Sequence, residues 1–164
     1  MKNLRAKFFT VVMFMVLPVF AEEATYLIGS VKQDQVNVRA GANINFESIC
    51  RLDKNDKVEI VSELYDWYRI RLPKDTLCYI SANFIDSLPD SALARVNADK
   101  VNVRSGSDLN SSVLGQLSTG ATVKVKLKTG DFFEIECPNN MYGWVSKSLI
   151  EVSNTQEPSP TKSK

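Results

Sequence analysis

The chain has 164 residues, 44% of them hydrophobic and 24% charged, with 20 Lys and Arg against 19 Asp and Glu and no histidine. That is an ordinary globular composition for one or two domains, and its near-neutral charge excludes an electrostatic case for nucleic acid or an anionic membrane as a general partner. Without histidine there can be no Cys-His nucleophile pair, no Ser-His-Asp triad and none of the usual His-containing zinc sites, so the chain reads as non-catalytic, with no cofactor and no metal.

The N-terminus reads as a signal peptide over residues 1–21. Basic Lys2, Arg5 and Lys7 precede an apolar run over residues 8–20, and Val19-Phe20-Ala21 is a small-residue cleavage pattern before Glu22. The run is too short to cross a hydrocarbon core, which takes about 20 residues. The expectation is cleavage after Ala21, no membrane anchor thereafter, and a periplasmic or secreted location.

Beyond the leader, Val36-Asn37-Val38-Arg39-Ala40-Gly41 recurs as Val101-Asn102-Val103-Arg104-Ser105-Gly106. At that fixed offset of 65, fifteen of the sixty positions 27–86 are identical, turn residues as well as apolar ones, which favours two copies of one unit over a single domain. The copies span residues 27–87 and 93–152. Residues 88–92 form a turn-rich linker, and the polar, proline-containing stretch 153–164 reads as a disordered tail.

Each copy opens on a period-two strand, Val36/Val38 or Val101/Val103, ended by Gly41 or Gly106 and followed by a polar loop. A hairpin comes next, over 58–72 and 123–137, through three-residue turns at 64–66 and 129–131. Such turns set Glu59 opposite Arg71, Lys126 opposite Glu134 and Lys124 opposite Glu136, a solvated and mutually paired face. The alternation sends Tyr68 and Phe133 inward and leaves Trp67 and Phe132 outward. Last strands follow at 78–85 and 143–150.

The order V-N-V-R-x-G, polar loop, hairpin, Gly143-Trp144-Val145-Ser146 and closing Leu149-Ile150 resembles the bacterial SH3, or SH3b, domain. The resemblance implies an all-β fold of two tandem small SH3-like β-barrels, and a role in cell-envelope targeting or peptide binding. The first function it suggests is a non-catalytic exported protein that binds cell-wall (peptidoglycan) peptide or glycan. The alternative is a periplasmic or secreted scaffold whose partner is an envelope protein. Candidate ligand-binding residues are Trp67, Tyr65 and Phe84 as one aromatic shelf, with Phe132, Tyr142 and Leu149 as its counterpart; an alternative for the outer aromatics is packing over loops. Cys50 and Cys78 replace Gly115 and Gly143 and are expected to form a disulfide in an oxidising compartment, two inert buried thiols being the alternative. Cys137, which aligns with Leu72, is expected to be free and core-facing.

Overall fold

The structure, a computed structural model, describes residues 26–89 and 91–153. The leader 1–21 and residues 154–164 of the tail lie outside the described residues. The first copy contributes β1 (Leu27–Val31), β2 (Val36–Arg39), β3 (Ser48–Leu52), β4 (Lys57–Leu64), β5 (Trp67–Arg71), β6 (Cys78–Ser81), a 3-10 turn at Ala82–Phe84 and β7 (Ile85–Ser87). The second contributes β8 (Leu93–Val96), β9 (Val101–Arg104), β10 (Val113–Leu117), β11 (Thr122–Thr129), β12 (Phe132–Ile135), β13 (Tyr142–Ser146), a 3-10 turn at Lys147–Leu149 and β14 (Ile150–Ser153). The fold is all-β, and Val36, Val38, Val101 and Val103 are buried while their polar neighbours in the same strands are less so, as the period-two pattern requires.

The strands form two seven-stranded sheets, in the orders β14-β1-β4-β5-β13-β2-β3 and β10-β9-β6-β12-β11-β8-β7. Each sheet contains strands from both copies. β13 inserts between β5 and β2 of the first copy, and β14 pairs with β1. Reciprocally, β6 inserts between β12 and β9, and β7 pairs with β8. The two copies have therefore exchanged their closing strands within one chain, and the boundaries 27–87 and 93–152 do not coincide with the two sheets. The crossings run side by side at residues 73–77 and 138–141, where Leu72 N–H donates to the Met141 carbonyl and Cys137 N–H to the Lys74 carbonyl.

The exchange has a physical reason in side-chain size. Gly143, on β13, faces Leu72 and Val38; a Cβ there would lie 2.9 Å from Leu72 Cδ2 and 2.5 Å from Val38 Cγ1. At the equivalent place in the other barrel, Cys78 faces Cys137, with their Sγ atoms 2.7 Å apart. Were each copy to close on itself, Cys78 would meet Leu72 where only glycine fits, and Gly143 would meet Cys137 across a void. Both mismatches are costly, one by overpacking and one by cavity formation.

Charge points the same way. Lys147 Nζ lies 2.8 Å from Glu63 Oε2, and the Arg69 guanidinium sits 4.3 Å from the centre of the Tyr142 ring. The self-closed arrangement would set Lys147 beside Lys128, the equivalent of Glu63, and Tyr142 beside Glu134 and Glu136 in place of Arg69 and Arg71. The reversal of charge sign between the hairpins thus matches the exchanged strands. Each such surface contact contributes only about 0.2–1 kcal/mol, so size outweighs charge here.

The exchange also sets the cysteines differently from the expected pairing. Cys78 travels with β6 to the barrel of the second copy, so it meets Cys137 rather than Cys50, and the structure shows no Cys50–Cys78 bond. Cys137 is core-facing, as expected.

Both hairpins differ from the expected register by one residue near their tips. Leu64 opposes Trp67 and Thr129 opposes Phe132, so the turns hold two residues, with Tyr65 at φ 49° and Gly130 at φ 59°. A left-handed first position suits the two-residue turns that match strand twist. A bulge in β4 and another in β11 then absorb the extra residue. Beyond it the expected pairs return: Arg71 to Glu59 at 2.5 Å and Lys124 to Glu136 at 3.4 Å. Lys126 still reaches Glu134, at 3.8 Å, although Leu127 stands opposite that residue.

Replacing Gly143 by Ala should destabilise the protein by about 1–3 kcal/mol through overpacking. The added Leu72→Ala change should then cost less than it does in the wild-type background, because it opens the space the new methyl needs. Urea unfolding of the two single variants and the double variant measures this coupling; simple additivity would contradict the Leu72 contact.

Candidate functional site

The exchange decides which of the candidate residues meet. Phe84 follows β6 into the barrel of the second copy, where Phe132 pairs with Ser81 in adjacent strands. There Phe84, Phe132, Leu109 and Val101 bound a cleft of about 170 Å³ with Asp99, Lys100, Asn102 and Arg104 along its polar edge. Phe84 is 44% exposed and Leu109 71%, so both offer apolar surface to a ligand. Phe132, expected to face outward, is only 7% exposed. It lies outside the core cluster that Phe133 packs against, and the elements around the cleft cover it. Its burial thus runs against the expected outward placement, while Phe133, expected inward, is only partly buried.

The cleft's edge is built by repeated contacts. Arg104 Nη1 donates to the Ser111 carbonyl at 2.8 Å, and in the other copy Arg39 Nη1 donates to the Phe46 carbonyl at 2.7 Å, so the arginine of each V-N-V-R pins the following loop across the strand. That loop passes close to the glycine after the motif. A Cβ on Gly41 would lie 2.6 Å from the Phe46 ring, and one on Gly106 would lie 2.6 Å from Ser111 Oγ. Asp99 accepts from Thr119 N–H, which holds its carboxyl below the usual range; Asp34 accepts in the same way from Lys54 N–H. Arg104 and Asp99 are thus engaged in holding loops beside the cleft, whose apolar surface comes from Phe84, Val101, Leu109 and Phe132.

In the other barrel the equivalent positions carry Trp67, Leu149, Ile44 and Arg39, and Trp67 pairs with Ser146 as Phe132 does with Ser81. Ile44 is 72% exposed, nearly matching Leu109. Ile44 and Leu109 were missed from the sequence, although each is an aliphatic residue at the same place in an otherwise mostly polar loop. Tyr65 stands at the tip of the β4–β5 turn, 83% exposed. Tyr142 does not join the shelf. It opposes Arg71 at the far end of β13 from Ser146 and lies beneath Arg69.

A second, larger cleft of about 480 Å³ lies by the crossing, lined by Tyr26, Lys57, Glu59, Arg71, Lys74 and Asn139 among others. Arg71 there is engaged by Glu59 and by the Asn139 carbonyl. Among the described residues no group of three or more His, Cys, Asp or Glu could hold a metal ion, and no helix is long and apolar enough to cross a membrane.

The architecture is thus two small barrels, one of which carries an apolar cleft beside loops held by Arg104 and Asp99. The sequence matches the family described as bacterial SH3 domain over residues 34–86 and again over 99–151, and the chain belongs to that family. It is also similar to the protein named "Putative N-acetylmuramoyl-L-alanine amidase YrvJ" of Bacillus subtilis (strain 168), with 22% identity over 142 residues that cover 79% of this chain and 27% of the relative. The chain thus spans about a quarter of the length of that relative.

The loops that follow the two V-N-V-R strands meet through Glu47, whose Oε1 accepts from Ser105 Oγ at 2.5 Å and from Ser112 N–H at 3.2 Å. These hydrogen bonds, the Ser105 hydroxyl first, hold the Glu47 carboxyl below its ordinary value of 4.5. A depressed carboxylate favours the folded contact above its unfolded pKa and loses that advantage as pH falls through the folded value. NMR titration of Glu47 should therefore give a midpoint below 4.5, and Ser105→Ala should move it upward; an unchanged midpoint would remove the hydroxyl as its cause.

Proposed function

We propose that this chain is a non-catalytic, exported binding protein that holds cell-wall peptide or glycan against the apolar cleft of one barrel and the equivalent apolar surface of the other. The observation that carries the reading is the Phe84–Leu109–Phe132 cleft, where two exposed apolar side chains stand over a buried aromatic ring. Aromatic planes offer large contact area with little side-chain freedom to lose, which suits sugar rings and short peptides. Membership of the bacterial SH3 family supports this reading, as does likeness to a protein named as an N-acetylmuramoyl-L-alanine amidase. So does the leader pattern over residues 1–21, which would deliver the protein to the envelope, in the periplasm or outside the cell.

Trp67 and Leu149 are assigned the same role in the other barrel, with Ile44 added. Tyr65, exposed at the hairpin tip, extends that surface, and Tyr142 serves as a strut under Arg69. Each of these surfaces then takes residues from both copies, so recognition requires the whole chain.

Co-sedimentation of the purified 22–164 chain with peptidoglycan sacculi tests the reading. Binding should fall about threefold to tenfold for Phe84→Ala and for Trp67→Ala, as expected for an aromatic contact worth roughly 0.5–1.5 kcal/mol, with the β-sheet circular dichroism unchanged. No sedimentation, together with one protein specifically recovered from envelope extracts, would replace the wall ligand by a protein partner. Wild-type binding by both variants would place recognition outside these surfaces. N-terminal sequencing of the protein from the envelope or medium should begin at Glu22.

A further inference from the structure

We propose that Cys78 and Cys137 are a crosslinking pair whose disulfide, formed within one chain, locks the exchanged arrangement of the closing strands. The two residues are 59 positions apart in sequence, yet their Sγ atoms lie 2.7 Å from each other in the interior. Cys78 opens β6 directly opposite Ile135 of β12, and Cys137 follows that strand by two residues, so backbone pairing presents one thiol to the other. Both side chains are buried, and the matching place in the other barrel holds Leu72 and Gly143, which have no thiol. Only the barrel that receives β6 can form the bond.

The pair is a specific readout of topology. If each copy closed on itself, Cys78 would lie in one barrel and Cys137 in the other. A 78–137 bond inside a single chain therefore requires the exchange, and the same bond between two chains would mean exchange between molecules. Cys50 is left over: burial pushes its thiol up to about 11, which keeps it protonated and unreactive near neutral pH in the folded protein.

The reaction balances as a thiol–disulfide exchange with a small or protein disulfide as oxidant. One cysteine, as thiolate, attacks that disulfide and expels one thiol; the other then attacks the mixed disulfide and expels the second. Two protein thiols lose two protons and two electrons, and the oxidant gains them as two free thiols. The neighbouring Cys137 thiol, together with burial, raises the pKa of Cys78 and disfavours the thiolate in the closed barrel. Burial of both thiols also keeps an oxidant from them, so the bond forms as the exchanged strands come together during folding and forms slowly once the reduced barrel has closed.

The pairing is independent of whether the protein is exported, so it is tested with the purified 22–164 chain refolded in a buffer of reduced and oxidised glutathione. Unreduced peptide mapping of the monomer should recover Cys78 linked to Cys137 and Cys50 as the one alkylated cysteine. Dithiothreitol should lower the Tm by roughly 5–10 °C, as loss of a long-loop crosslink predicts, and should leave the Tm of Cys78→Ala and of Cys137→Ala unmoved. Cys50→Ser should behave as wild type. Three alkylated cysteines, a linkage involving Cys50, or a 78–137 link found only between chains would overturn the proposal. If a Cys78 or Cys137 variant fails to fold, the wild-type map and its response to reductant still decide.

Discussion

The fit of four side chains at the two strand crossings governs this molecule. Leu72 fills the space that Gly143 leaves open, and Cys78 shares the corresponding space with Cys137. The two pairs bring similar total volume to the same place by different divisions, so swapping partners between them produces one clash and one hole. Close-packed interiors do not absorb either error cheaply. A repeat that could close on itself is thereby directed to close on its neighbour, and the Lys147–Glu63 and Tyr142–Arg69 contacts add smaller contributions in the same direction.

Exchange within a chain also suits units this small. A domain of about 60 residues buries only about 60% of its unfolded surface and is marginal alone. Here the buried side chains of both barrels form one cluster, with Val31, Ile60, Ile150, Leu114 and Val123 among its members. Because β6 and β13 must each leave their own copy for the other barrel to close, neither barrel is complete without the whole chain. The tether makes that closure intramolecular, at high effective concentration, so the exchange carries little of the entropic cost of joining two molecules.

Much of the secondary structure was legible because period-two alternation and turn residues are local signals. The strand positions, the all-β class, the repeat and the pairing of Glu59 with Arg71 all follow from spacing. The exchange was not, because self-closed and exchanged strands share the same local sequence and differ only in which copy supplies the partner. Its trace lay in comparisons across copies: glycine against cysteine at 143 and 78, leucine against cysteine at 72 and 137, and opposite charges at 63 and 128. Reading those differences within one copy suggested a Cys50–Cys78 bridge; reading them between copies leads to Cys137. The one-residue register error near the hairpin tips has another origin, since a left-handed Tyr65 is an uncommon backbone choice that its side chain does not announce.

The same exchange shapes the candidate site. Phe84 and Phe132 belong to different copies, and sequence order placed them on separate shelves, yet β6 carries the first to the second. Any ligand held between them bridges residues 48 positions apart in the chain and bears on the seam where the copies interlock. The 3-10 turn that carries Phe84 is continuous with β6, whose other end is Cys78, so the position of the exposed ring depends on the same strand that the buried thiols fix. Strand exchange, core packing and the apolar cleft are thus consequences of one placement, the insertion of residues 78–81 between β9 and β12.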